Sequence, residues 1–153
     1  MASHAASSAR YTTNSSNSFI VVAPDTTATR GVEPPERGTP TVARRQFLMI
    51  HGSPYQHTSD DVIFAVYADR QSIPERERAS ARSRLFATGQ ACLRSSDLAK
   101  KYGWGIHSNS QGKVALVAMD SADYAIFAGG HDLRGTPLTV HAAMRTSRAR
   151  AKR

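Results

Sequence analysis

One stretch of the sequence, residues 89–119, constrains the fold more than any other. It contains Ser-Ser-Asp at residues 95–97, side chains that cap helix N-termini, followed by about a turn and a half of helix-forming residues. Gly103 then suits the left-handed position that commonly ends a helix. Residues 104–107 and 113–119 alternate between two faces and flank the turn-forming sequence SNSQG. The stretch therefore predicts a short capped helix that runs into a β-hairpin.

The part of the chain before this stretch contains one strand signal and one strong helix signal. Residues 18–23 (SFIVVA) predict a strand that ends at a proline, and the proline-rich residues 25–40 predict a long loop. Residues 41–51 are apolar enough for an element, and helix and strand both remain open there. Thr-Ser-Asp-Asp at residues 58–61 predicts a helix start, because capping side chains precede an apolar stripe. The stripe consists of Val62, Ile63, Val66 and Tyr67.

Three further segments complete the predicted fold. Residues 75–88 follow a proline and predict a second helix, and residues 122–128 predict a helix that ends at two glycines. Residues 138–140 predict a last strand. We therefore predict a single α+β domain over residues 17–140, with three or four helices packed on a small, mainly antiparallel sheet.

Length and composition limit the classes of protein that fit. A chain of 153 residues has room for one domain with its own core. No apolar run approaches the roughly 20 residues of a membrane-spanning helix, so no membrane association is predicted. No signal peptide is recognisable after the first residue. Cys92 is the only cysteine, so the chain forms no internal disulfide, and the cytoplasm is the predicted location.

The net charge of +8 is concentrated near the C-terminus. Residues 141–153 contain five basic and no acidic side chains, whereas residues 17–140 carry 14 basic and 12 acidic ones. We therefore predict a flexible N-terminal extension (residues 1–16) and a basic C-terminal tail (residues 141–153), with residues 1–16 and 146–153 dispensable for folding. The tail is either a solvated segment without a partner or a contact for nucleic acid.

Three sequence runs carry a resemblance to a known family. They are TSDDVIF (residues 58–64), GQACLR (residues 89–94) and YGWGIH (residues 102–107). Together with shorter matches they cover nearly the whole chain, which resembles a family of small bacterial proteins of unknown function. The family has proline where this chain has Asp97, a residue that also suits an early helix position. The resemblance implies a single-domain, cytoplasmic, bacterial protein and supplies no catalytic residues.

The most binding-like side chains of the central stretch lie between residues 94 and 107. They are Arg94, Lys100, Lys101, Tyr102, Trp104 and His107. Cations beside aromatic rings can hold phosphates and stack bases, and neighbouring glycines can let a partner approach the backbone. This pattern predicts a module that binds an anionic small molecule or nucleic acid. The alternative is that Trp104 belongs to the core and that the lysines only face solvent.

An enzyme is the second functional hypothesis. Cys92 lies near a cation and just before a helix N-terminus, both of which favour the thiolate, and His107 is the nearest base in sequence. The alternative for Cys92 is a small buried apolar residue. Asp60 and Asp61 could serve acid–base or Mg²⁺ chemistry, although helix capping explains the same residues without any chemistry. The histidine spacing fits no zinc motif, and no phosphate loop or dinucleotide motif occurs, so neither metal nor cofactor is predicted.

Overall fold

The computed structural model describes residues 11–146. Within them the strands are β1 (Ser18–Val21), β2 (Trp104–Ser108), β3 (Val114–Ala118) and β4 (Thr139–Ala142). The helices are α1 (Val42–Gly52), α2 (Ser59–Arg70), α3 (Arg78–Leu85), α4 (Asp97–Lys100) and α5 (Ala122–Ala128). The distal parts of the predicted extension and tail, residues 1–10 and 147–153, lie outside the described residues.

The four strands form one sheet in the order β3-β2-β1-β4. The pairs β2–β3 and β1–β2 are antiparallel, and the pair β1–β4 is parallel. The predicted α+β fold with a mainly antiparallel sheet is therefore confirmed, and so is the β-hairpin of the central stretch. In the described part of the chain, no helix has the length and apolar character needed to cross a membrane.

The segment that the sequence left open, residues 41–51, is helical. The Thr41 side chain caps α1 by accepting a hydrogen bond from the backbone N–H of Arg44 at 3.1 Å. The predicted helix over residues 75–88 is shorter than expected and divided, because a 3₁₀ turn at Glu75–Glu77 precedes α3. Because residues 41–51 are helical, the part of the chain that the structure describes has five helices and not three or four.

The sheet is covered on both faces. On one face, α1, α2 and α4 enclose the main core, in which Ile50, Val62, Leu98 and Ile106 are almost completely buried. On the other face, α5 packs Phe127 against the ring of Phe19 at a centroid distance of 5.3 Å. Because side chains alternate along a strand, neighbouring residues of β2 contribute to different layers.

The N-terminal segment is bonded to the start of α2 through Asp60. The Asp60 carboxylate accepts hydrogen bonds from the Thr12 hydroxyl (2.6 Å) and from the backbone N–H and the hydroxyl of Thr13 (both 2.7 Å). The side chain of Asn14 accepts from the backbone N–H of Asp60 in return (2.8 Å). Asp60 is 7% exposed, so this carboxylate is buried by the segment that it binds.

The C-terminal end of the sheet extends beyond the predicted domain boundary. Strand β4 runs to Ala142, and the next residue, Ala143, is buried. The backbone N–H of Ala143 donates to the carbonyl oxygen of Val21 at 2.8 Å, so the parallel pairing with β1 continues past residue 140. The first residues assigned to the basic tail therefore belong to the sheet.

Candidate functional site

The six predicted binding residues do not form one surface. Trp104 and His107 lie on β2 but face opposite sides of the sheet, because their positions differ by an odd number. Trp104 packs against Phe47 of the main core, and its indole N–H donates to the carbonyl oxygen of Val32 at 2.9 Å. Tyr102 packs against the same core. These two aromatic rings therefore stabilise the fold.

The three cations of the predicted set lie at or near the surface. Arg94 donates from Nε to the carbonyl oxygen of Ala142 at 2.7 Å. Lys101 is exposed and its ammonium nitrogen lies 3.9 Å from a carboxylate oxygen of Asp97, whereas Lys100 is half-buried. All three cations remain accessible to solvent. The rings of Tyr102 and Trp104, however, pack against the main core, to which His107 does not belong.

The glycines beside Trp104 serve internal packing. A methyl group on Gly103 would overlap the carbonyl group of Arg30, and one on Gly105 would overlap the ring of Phe19. The close approach predicted for a partner is thus made by the protein itself.

Cys92 and His107 belong to different surroundings. Cys92 lines a cavity together with Ser18 and Ser108, on the side of the sheet that faces away from the His107 ring. His107 is bonded to Tyr55 instead. The structure therefore does not bring the predicted nucleophile and base together.

His107 lies in the wall of a cavity of about 440 Å³, which we call the His107 cavity. Its lining consists of Asn17, Tyr55, His107, Asn109, Ser110, Phe127, Asp132, Leu133, Arg134 and Thr136. The volume falls within the roughly 300–1,000 Å³ that is usual for small-molecule sites. A mixture of apolar rings, neutral hydrogen-bonding groups and opposite charges in one concavity is typical of such sites.

The imidazole of His107 is the most constrained polar group of this cavity. Its side chain is 4% exposed, and Nδ1 lies 2.7 Å from the hydroxyl oxygen of Tyr55. Nε2 is buried and has no hydrogen-bond partner among the described residues. When Tyr55 donates its proton to Nδ1, Nε2 carries the ring hydrogen and requires an acceptor. An unsatisfied buried donor costs about 1–3 kcal/mol, so an acceptor that reached this atom would stabilise the protein.

Burial shifts the ionisation of both members of the pair. It lowers the pKa of His107, an effect that the negative charge of Asp132 opposes only in part. Burial also raises the pKa of Tyr55, and the charges of Asp132 and Asp123 raise it further. The neutral imidazole and the neutral phenol are therefore both favoured inside the folded protein.

The loop after α5 contributes the charges of the cavity. The Asp132 carboxylate accepts hydrogen bonds from the backbone N–H groups of Arg134 and Thr136, both at 2.8 Å. Burial alone would raise the pKa of Asp132, but these N–H groups outweigh it and hold that pKa below its ordinary value. Arg134 is exposed and forms no ion pair with a described acidic residue. The loop thus holds an ionised carboxylate and an available guanidinium at the rim.

Sequence reasoning found only one residue of this cavity, His107. Tyr55, Asp132 and Arg134 lie far from it in the chain and meet it through tertiary packing. Tyr55 lies in the loop between α1 and α2 and has a left-handed backbone (φ 60°), which a tyrosine rarely adopts. The sequence Asp-Leu-Arg-Gly at residues 132–135 does signal a turn, but a turn signal does not indicate what the turn faces.

One protein family matches a range of the chain that includes every residue described above. Residues 10–149 match a family of unknown function, DUF6157. The chain belongs to this family. The membership confirms the resemblance to a family of unknown function, and it assigns neither an activity nor a functional residue. No curated protein and no solved structure matches the chain.

The acidic side chains at the start of α2 belong to no metal-binding cluster of described residues. Among residues 11–146, no group of three or more histidine, cysteine, aspartate or glutamate side chains is arranged to hold a metal ion. Asp61 completes the cap of α2: its carboxylate accepts from the backbone N–H of Thr58 at 2.9 Å, and the Thr58 hydroxyl accepts from the N–H of Asp61. This reciprocal capping supports the structural alternative for Asp61.

The depressed pKa of His107 predicts a loss of stability on acidification. The unfolded chain binds a proton near the ordinary histidine pKa of 6.5, whereas the folded protein resists it until a lower pH. The contribution is therefore complete above pH 6.5 and decreases as the pH falls towards the folded pKa. We expect His107→Gln to reduce the pH dependence of the free energy of unfolding between about pH 7 and pH 5.

Urea unfolding at a series of pH values measures this dependence. His131→Gln is the control, because His131 is exposed and lies outside the lining of the cavity. Equal slopes for the wild type and His107→Gln would contradict a neutral buried His107.

Proposed function

We propose that this protein is a binding module for a small molecule with an anionic group, and that the His107 cavity is its site. The observation that carries the proposal is the buried, unpartnered Nε2 of His107, a residue that lines a cavity of ligand size. An anionic oxygen is the strongest acceptor for such an N–H group. Binding would therefore satisfy a donor that the described part of the protein leaves unsatisfied.

The charges of the cavity support an anionic group with a defined orientation. Arg134 offers a planar fork of donors that suits a carboxylate or a phosphate. Asp132 disfavours a second negative charge and would instead accept a hydrogen bond from the ligand. A small carboxylic or phosphoric acid that also carries a hydroxyl or amino group fits both residues. The apolar surfaces of Phe127 and Leu133 would contact its hydrocarbon part.

We expect a panel of small hydroxy acids, amino acids and phosphate esters to include a compound that raises the melting temperature of the full-length protein. For that compound, His107→Gln and Arg134→Gln should each weaken binding by about tenfold or more, because each removes a charge-assisted hydrogen bond. Isothermal titration calorimetry measures the dissociation constants.

The matched control is Arg37→Gln, which removes another exposed arginine, from a loop that does not line the cavity. It should bind like the wild type. A compound that binds His107→Gln and Arg134→Gln as well as the wild type would place its site elsewhere and contradict the proposal.

Nucleic acid is the alternative partner of a binding module. The exposed Arg94 and Lys101, together with the basic residues of the tail, are the features that favour it. A salt series with single- and double-stranded nucleic acid separates the cases, using the full-length chain, the chain without residues 147–153 and Lys100→Ala/Lys101→Ala. Binding that disappears with the tail assigns the attraction to the tail.

Acid–base catalysis on the bound molecule is a second candidate function. The 2.7 Å hydrogen bond between Tyr55 and His107 favours it, since such a pair can move a proton within the cavity. Cys92 has no part in this version of the enzyme hypothesis. Chemical change of an identified ligand during incubation with the protein distinguishes catalysis from binding alone.

The single cysteine keeps the reducing cytoplasm as the proposed location.

A further inference from the structure

We propose that a second site, on the other face of the sheet, binds a small oxyanion with the chemistry of phosphate. The site is a cavity of about 140 Å³, which we call the hydroxyl cavity. Five hydroxyl side chains line it: Thr13, Ser15, Ser18, Ser59 and Ser108. Arg94 and His141 add nitrogen donors, and Ile20, Cys92 and Leu93 complete the lining. The proposal does not depend on the His107 cavity, which shares none of these residues.

Two of the hydroxyl groups lack a partner although their residues are buried. Ser18 and Ser108 are opposite each other in the pairing of β1 with β2, and they are 3% and 6% exposed. Neither hydroxyl makes a hydrogen bond to a described residue, yet both residues line the cavity. Neither hydroxyl oxygen is among the fully buried side-chain atoms without a partner, so each keeps some access to solvent. An oxyanion would accept both O–H groups at once, because its oxygens have several lone pairs each.

Arg94 is held in place by the backbone that it contacts. Its Nε donates to the carbonyl oxygen of Ala142, and its own carbonyl oxygen accepts from the N–H of Met144 at 2.8 Å. The two terminal nitrogens of the guanidinium make no hydrogen bond or ion pair with a described residue. These remaining donors have the geometry that suits two oxygens of one phosphate group. Because the bond at Nε already fixes the side chain, Arg94 loses less conformational entropy when its terminal nitrogens bind a ligand.

The Asp60 carboxylate, which is bonded to a residue that lines this cavity, already has hydrogen-bond partners within the protein. Asp60 follows Ser59 and bonds Thr13, and its two carboxylate oxygens accept three hydrogen bonds from the N-terminal segment. Ser59 and Thr13 also bond each other through their hydroxyls at 2.8 Å. The donors that are left for a ligand are therefore those of Ser15, Ser18, Ser108, Arg94 and His141.

The volume limits the ligand to a small group. It exceeds the roughly 10–15 Å³ needed by one water but is below the roughly 300 Å³ of sites that enclose a whole organic ligand. Free phosphate would fit entirely, and the phosphate end of a monoester would fit with its organic part outside. Both sources share the same chemistry, and the experiment compares them.

The test uses the full-length protein with inorganic phosphate and, separately, with phosphoethanolamine, at an ionic strength matched with chloride. We expect phosphate-dependent shifts in two-dimensional NMR spectra at the amides of Ser18, Arg94 and Ser108. Arg94→Gln and Ser108→Ala should each weaken binding, with about a tenfold loss for Arg94→Gln because it removes the charged donor. Ser108→Ala keeps the charge and the small volume, so its effect reports the hydroxyl group itself.

Arg134→Gln is the matched control, because it removes a cation of the His107 cavity and should leave phosphate binding here unchanged. Tighter binding of phosphoethanolamine than of phosphate, measured from the shifts at Ser18 and Arg94 in the Arg134→Gln variant, would identify a monoester as the source, and the reverse would identify the free ion. Three results would overturn the proposal: shifts no larger than with chloride, equal affinity in Arg94→Gln, Ser108→Ala and the wild type, or loss of binding only in Arg134→Gln. The last result would place the anion in the His107 cavity and leave the proposed function intact.

Discussion

Gly103→Ala is expected to lower the free energy of unfolding by about 3–5 kcal/mol, among the largest effects of a single methyl group. Two costs combine at this position. The backbone of Gly103 is left-handed (φ 80°), which is strained for alanine, and the added methyl group would overlap the carbonyl group of Arg30. That carbonyl belongs to the backbone of the long loop, so it cannot move aside as a flexible side chain would.

Urea unfolding followed by the fluorescence of Trp104 measures this effect, and two other glycines separate its causes. Gly135 is also left-handed (φ 90°) but has no atom within 4 Å of an added methyl group, so Gly135→Ala should cost only about 1–2 kcal/mol. Gly38 has neither feature, so Gly38→Ala should change the stability by less than about 1 kcal/mol. If Gly103→Ala cost no more than Gly135→Ala, the contact with Arg30 would not be tight.

Asp60→Ala is expected to lower the free energy of unfolding by about 2–4 kcal/mol, since hydrogen bonds to a buried carboxylate are stronger than neutral ones. The substitution leaves the donors of Thr12 and Thr13 without their acceptor and releases the N-terminal segment from α2. Faster proteolysis within residues 1–16 should accompany the loss of stability. Thermal or urea unfolding and a timed digest measure the two consequences.

The control is Asp69→Ala on the same helix, whose carboxylate forms a half-exposed ion pair with Arg78 at 3.1 Å. It should cost less than about 1 kcal/mol. Removal of residues 1–16 tests the prediction that this segment is dispensable. If the hydrogen bonds to Asp60 carry its contribution, truncation and Asp60→Ala should not be additive. A truncated protein as stable as the full chain would show that these bonds contribute little.

The elements predicted from sequence are those with strong local signals. The hairpin follows from the alternation in β2 and β3 together with the turn between them, and α2 follows from its capping residues. Helix α1 is harder to predict, because residues 41–51 are apolar without a clear helical or strand period. Thr41, which caps the helix, was the local signal that could have decided it.

Tertiary contacts could not be predicted in the same way. The capping hypothesis suited Asp60 and Asp61 equally, yet Asp61 caps α2 and Asp60 binds a segment that lies more than 40 positions earlier. Cations and aromatic rings that are adjacent in sequence were predicted to share one surface, but the alternation along β2 separates Trp104 from His107. Tyr55 joins His107 only after the loop following α1 has packed against the hairpin, and no pattern in either segment indicates the other.

The central position of β1 determines when the sheet can be completed. Its two neighbours are β2, which begins at Trp104, and β4, which begins at Thr139, so both partners are synthesised long after it. On the ribosome, the apolar run of residues 18–23 must remain unpaired while α1, α2 and α3 emerge and fold by local contacts. Pairings of such long sequence separation slow folding, and unpaired β-branched segments are prone to aggregation in the meantime. Production of this protein should therefore be more sensitive to the translation rate and to chaperones than its small size suggests.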